Sequence, residues 1–209
     1  ILLNPFLEAN TDDVVVINKD KNKNKSDLTI EPLAENHYKR YKEDGTKLYV
    51  GMALKDKIES WTGKAIGINA GMECGKTHFI LHDLQEYAEQ NNKNILFLYN
   101  RRPLGQKLRE ETKRINNIKV MAYQTVQDFI NRNDEEKINL DSYNYIVCDE
   151  AHYIFNDVFN KRTIYIYEEL IKRIKEKRAT IIFMTATGNE LWNTLINEEE
   201  ILDIDNYYY

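Results

Sequence analysis

The chain has 209 residues, 42% of them hydrophobic and 30% charged, with 3 Pro and 8 Gly, which fits one or at most two globular domains with a sizeable core. Its net charge of -5 excludes a surface that is basic throughout, and two cysteines, Cys74 and Cys148, are too few for a disulfide framework or a four-cysteine zinc site. No apolar run approaches the ~18 residues of a membrane span and the start lacks a signal peptide, so no membrane partner and a reducing, cytoplasmic setting are expected.

Residues 1–48 read as an N-terminal extension, partly flexible. A short apolar run at Val14, Val15, Val16 and Ile17 gives way to a Lys/Asn/Asp tract that reads as a solvated loop. From about residue 50 short apolar runs alternate with amphipathic stretches, as in an α/β fold whose parallel sheet is flanked by helices. Strands are predicted at 65–69, 94–99, 118–122, 145–149 and 180–184, several of them apolar on both faces. Helices are predicted at 77–90, stopped by Asn91 and Asn92, at 104–115 and at 158–177. The last two carry the stripes Leu104, Leu108, Thr112, Ile115 and Ile164, Tyr167, Leu170, Ile171, Ile174.

The strongest chemical signal is Ala70-Gly71-Met72-Glu73-Cys74-Gly75-Lys76-Thr77, between a predicted strand and a predicted helix. Backbone N–H groups at such a turn face a polyphosphate, Lys76 brings a point charge to it, and the Thr77 hydroxyl can ligate Mg²⁺. Ala70 stands where the usual motif has Gly. Glu73 is unfavourable near phosphates unless it points to solvent, and Cys74 at a helix start is open to a reactive-thiol reading.

Seventy-two positions beyond Thr77, a predicted strand ends in Asp149-Glu150-Ala151-His152. Asp149 is assigned to the metal and Glu150 to the base that accepts a proton from attacking water. Both could instead simply cap a following short helix. A third strand ends in Thr185-Ala186-Thr187, two hydroxyls that could bridge the carboxylates to a moving neighbour.

The loop, Asp-Glu-Ala-His and Thr-Ala-Thr, in this order over roughly residues 50–190, resemble the DEAD/DEAH-box, or superfamily-two, helicases and translocases. The resemblance implies a P-loop NTPase of RecA-like type, a three-layer sandwich with a mostly parallel central sheet, over residues 49–209. It implies ATP and Mg²⁺ as cofactors, hydrolysis that drives translocation or unwinding of DNA or RNA, and a coupling role for His152, Thr185 and Thr187. Arg101 and Arg102, after the second strand, look like the family's motif Ia, which touches the nucleic-acid backbone, and Thr125 lies in a segment like its later strand-contact motif. Between residues 101 and 119, seven basic side chains face Glu110 and Glu111, a local +5 that suits phosphates or, alternatively, a solvated helix face. The segment Tyr123-Gln124-Thr125 reads equally as a core tyrosine and a helix cap.

The family's adenine-reading glutamine is missing upstream, since the first Gln is Gln85. The residues after Thr187 are too few for the family's second RecA-like domain, so the chain is expected to be a fragment that binds nucleotide, turns it over slowly and does not unwind alone. A non-unwinding translocase, such as a restriction-type or packaging motor, and a nucleotide-dependent binding module remain as alternatives.

Overall fold

In the computed structural model the described residues are 41–131, 138–156, 161–186 and 204–208. The predicted strands are all present, as β1 (Ala65–Asn69), β2 (Ile95–Tyr99), β3 (Ile118–Ala122), β4 (Tyr145–Asp149) and β5 (Thr180–Thr185), and a further strand β6 (Ile204–Tyr208) joins them. They form one six-stranded sheet in the order β3-β2-β4-β5-β1-β6, with every pairing parallel.

The alternation of side chains along each strand feeds two cores. Ile95, Phe97 and Tyr99 of β2 point into one and Leu96 and Leu98 into the other, so a strand with no polar face is what a doubly covered sheet requires. On the first face lie α1 (Val50–Leu54), the 3₁₀ turn Lys55–Trp61, α2 (Lys76–Phe79), a π-helical turn (Ile80–Leu84), α3 (Gln85–Gln90) and α4 (Arg102–Thr112). On the second lie α5 (Tyr123–Asn131), α6 (His152–Asn156) and α7 (Lys161–Lys175). Each large side chain removed from water in these layers contributes about 1.5–3 kcal/mol before entropy is counted.

Helix ends differ from the sequence reading in instructive ways. The helix after the Ala70–Gly75 segment starts at Lys76 rather than Thr77, because Gly75 adopts a left-handed φ of 82° and can serve as its N-cap. The next one starts at Arg102 rather than Leu104, since Pro103 is tolerated in a first helical turn, where its missing N–H costs nothing. The stripe predicted for the last helix lies largely buried on α7 at Leu170, Ile171 and Ile174. On the same helix the buried Arg173 is neutralised by Asp141 and by Glu169 at 2.9 Å. The calls on Val14–Ile17, on the Lys/Asn/Asp tract and on Thr187 fall outside the described residues.

Strand β6 was hidden in an acidic stretch. Its place is set by β1 and by Tyr207, whose hydroxyl accepts from Trp61 Nε1 at 3.1 Å with the rings 5.8 Å apart, while Lys64 pairs with Asp205 at 3.1 Å. Among the described residues no helix is long and apolar enough to cross a membrane.

Candidate nucleotide site

Because all the strands run the same way, their carboxyl ends share one edge of the sheet, and all the chemistry-bearing segments leave from it. Strands β1 and β4 flank β5, which places the phosphate loop and the Asp149 crest about 10 Å apart, two strand spacings. The end of β5 bonds to both. The Thr185 carbonyl accepts from the Ala70 N–H at 3.0 Å and the Met184 carbonyl accepts from the Ala151 N–H at 2.9 Å.

Within the loop Lys76 folds inward, its ammonium donating to the carbonyls of Ala70 at 2.5 Å and Gly71 at 2.8 Å. Ala70, where the usual motif has Gly, is 1% exposed and packs in the first core, while its carbonyl receives Lys76. Gly75 is needed twice over, for its positive φ and because a Cβ there would meet Tyr49 Cδ1 at 3.1 Å. Glu73 also has a positive φ, 58°, with its side chain exposed, which meets the condition set by its charge. Cys74 does not face outward: it is 1% exposed, and its thiol donates to the Met72 carbonyl at 3.6 Å. Burial removes the access that a reactive thiol needs, so that reading is withdrawn.

Asp149 ends β4 with only 5% exposure. Burial pushes its carboxyl up to about 6, the neighbouring Glu150 adds to the rise, and the Lys76 and Arg101 cations oppose it. Glu150 itself sits at φ 48°, a strained setting for a side chain with a Cβ and the kind of backbone outlier that collects at functional sites. Its Oε2 lies 3.4 Å from His152 Nδ1, and the same nitrogen lies 3.4 Å from Thr185 Oγ1. Glu150, His152 and Thr185 are thus brought together in one cluster. A short helix does follow Asp149 and Glu150, yet it begins at His152.

Of the nucleic-acid candidates, Arg101 bears on this cluster through its charge at Asp149. Arg101 and Arg102 are exposed at the mouth of α4, and Thr125 is half-buried in the first turn of α5. Along α4, Lys107 pairs with Glu111 at 3.7 Å, while Arg109 donates to the Tyr99 hydroxyl at 2.6 Å.

Two features escaped the sequence reading. Tyr49 lies against Gly75, and the next residue, Val50, donates its N–H to the Cys74 carbonyl at 2.9 Å, so the segment before α1 forms one wall of the loop. Tyr49 keeps 45% of its surface exposed, with Lys47 Nζ 5.4 Å from its ring centre. An aromatic ahead of a short helix carries no signal by itself. The second feature is the bond made by Tyr123, weighed in the sequence as a core tyrosine and buried as one: its hydroxyl donates to the Asp149 carbonyl at 2.8 Å.

The parallel sheet, its two helical layers and the loop at its carboxyl edge define a RecA-like nucleotide-binding domain. The helicase domain of Pyrococcus furiosus Hef superposes on 77% of the chain with a TM-score of 0.56 at 18% identity. A hypothetical ATP-dependent RNA helicase from Sulfolobus tokodaii superposes on 80% with a TM-score of 0.54 at 16% identity. The DEAD/DEAH box helicase family model matches residues 75–193, more than half of the chain, and the chain belongs to that family. No curated protein matches it. The chain spans 38% and 54% of the lengths of the two helicase structures.

Proposed function

We propose that this chain is the first motor domain of a nucleic-acid-dependent ATPase, working with a second RecA-like domain to move along or open DNA or RNA. The observation that carries the reading is the joining, through the end of β5, of a phosphate loop holding Lys76 to a crest holding Asp149, Glu150 and His152. Residues 49–209 form the motor domain in this reading, and residues 1–48 an extension to it.

Lys76 neutralises charge on the outer phosphates of the nucleotide, and the N–H groups of residues 71–77 cradle them. Water attacks the terminal phosphorus in line, the bond to the bridging oxygen breaks, and Glu150 takes the proton. His152 holds Glu150 and ties it to Thr185. The donor set suits Mg²⁺: one hydroxyl, Thr77, and one carboxylate, Asp149, are oxygen ligands, and a divalent cation would compensate the negative charge that burial makes costly at Asp149. Among the described residues no three His, Cys, Asp or Glu side chains gather as a metal cage, and an ion bound largely by phosphates needs only one or two protein oxygens. Bound there, Mg²⁺ would neutralise charge developing on the phosphates. The exposed ring of Tyr49 offers a stacking surface for a base at the loop's rim. Arg101, Arg102 and Thr125 would meet the backbone of a bound strand.

The test is Mg²⁺-dependent binding and turnover of ATP against GTP, with and without single-stranded DNA or RNA, beside Lys76→Ala. Saturable binding that is lost in the variant, with turnover that rises on adding a strand, supports the motor. No nucleotide binding would sink it.

A further inference from the structure

Strands β3 and β4 are not neighbours; β2 lies between them. The residue leaving β3 nevertheless touches the end of β4, because a tyrosine is long enough to reach across. Tyr123 is fully buried and donates its hydroxyl to the Asp149 carbonyl at 2.8 Å. Its ring stacks on Tyr153 of α6, with centres 5.5 Å apart and planes 29° from parallel. The adjacent Gln124 donates to the Tyr153 hydroxyl at 3.0 Å and to Asn100 Oδ1 at 3.3 Å. Asn100 immediately precedes Arg101. Three crests, after β2, β3 and β4, are therefore joined by one polar and aromatic bridge that bypasses the His152–Thr185 contact.

Resting on the motor reading above, we propose that Tyr123 is a positioning residue: through the Asp149 carbonyl it sets the strained backbone of Glu150, and through Gln124 and Tyr153 it makes that setting respond to a strand held by Arg101, Arg102 and Thr125. The peptide it grips is the one that leads into Glu150, at φ 48°. A small displacement there swings the carboxylate more than it moves the strand behind it. Gln124 is exposed, which leaves its two hydrogen bonds open to rearrangement when a phosphate chain arrives.

Tyr123→Phe tests this in the full-length protein, because it preserves the ring, its volume and the stack on Tyr153 while deleting one hydroxyl. The expected result is nucleotide and strand affinities within about twofold of the parent, with the ratio of strand-stimulated to unstimulated turnover reduced roughly tenfold. Gln124→Leu should lower the same ratio, and the double variant should fall no further than Tyr123→Phe alone, since residues acting through one path are not additive. Amide exchange in residues 149–154 provides a readout independent of turnover: strand binding slows it in the parent and leaves it unaltered in Tyr123→Phe. Parent-like stimulation in Tyr123→Phe would overturn the bridge while leaving the motor intact, as would additive losses in the double variant. Loss of nucleotide binding together with stability would show Tyr123 to be structural only. A parent that no strand stimulates would instead remove the motor reading, and the bridge with it.

Discussion

The two halves of the carboxyl edge are built on opposite terms. Around the Ala70–Thr77 loop and the Asp149 crest, the groups assigned chemistry in the proposed function are taken out of water: Asp149 is 5% exposed, the Lys76 ammonium lies against two carbonyls, and the end of β5 bonds to both segments through the main chain. At the other half, Arg101 and Arg102 are exposed, so solvent screens their charges, although Arg101 still bears on the Asp149 carboxyl. Low dielectric makes each charge in the first half worth more and dearer to hold, whereas the second half is cheap, additive and sensitive to salt. The proposed motor would need both: fixed geometry where a bond breaks, and a loose, renewable grip where a strand slides.

The widest break between the halves should come from Glu150→Gln. Removing the proposed base is expected to cost about 10² to 10⁴ in turnover while nucleotide binding is retained, measured by steady-state phosphate release beside equilibrium binding. Lys76→Ala should lose binding as well. Equal turnover in Glu150→Gln and parent would remove Glu150 from the chemistry.

Asp149 sharpens the contrast by stability. Its carboxyl titrates at about 6 in the folded chain against 3.8 for the ordinary group. The folded state therefore binds this proton more tightly than the unfolded one. The resulting stability is fully present below pH 3.8 and is lost as pH rises through 6, so at neutral pH the ionised, buried carboxylate is a burden. Asp149→Asn should raise the unfolding free energy of the ligand-free protein by about 2 kcal/mol at pH 7.5, with the gain vanishing near pH 4. Denaturant melts at the two pH values check it. A variant less stable than the parent at pH 7.5 would show that the carboxylate is held by favourable contacts instead.

How much of this was legible follows from what each segment depends on. The five predicted strands are apolar runs that only a doubly covered sheet can bury, and the loop and the Asp-Glu-Ala-His crest are contiguous in sequence, so both were readable. Strand β6 was not, because Asp205 and Asn206 interrupt its apolar pattern and its place depends on Trp61, 146 positions from Tyr207. The turn Val50–Leu54 and the 3₁₀ segment after it went unassigned although Val50, Leu54, Ile58 and Trp61 are all buried at helical spacing. Tyr49 and the Tyr123–Asp149 bond were hidden for a different reason. Each is a contact between segments distant in sequence, which no local pattern encodes. The positive φ of Glu150 likewise gives no sign in composition.

At the basic half, effects should be small and graded. Arg101→Ala and Arg102→Ala are each expected to weaken single-strand binding roughly three- to tenfold at low salt. Each should also reduce the slope of log affinity against log salt by about 0.7, the release of counterion from one phosphate. Fluorescence anisotropy over a salt series reads both. A loss that does not diminish with salt would mean the arginine acts through the buried cluster, which its opposition to the Asp149 charge makes a definite alternative.

The smallest effect tests whether the basic helix is indeed held loosely. Glu111 pairs with Lys107 at 3.7 Å while the two side chains keep 45% and 72% of their surface exposed. An exposed pair one turn apart contributes about 0.2–0.5 kcal/mol, so Glu111→Gln should shift stability by no more than that. The same change raises the local charge of residues 101–119 from +5 to +6. If that charge meets phosphates, single-strand affinity should rise roughly twofold at low salt and return to the parent value near 1 M, where the screening length falls to about 3 Å. A fall in affinity would mean that the pair orders Lys107 for contact, and a stability loss well above 0.5 kcal/mol would move this helix from the loose half of the edge to the rigid one.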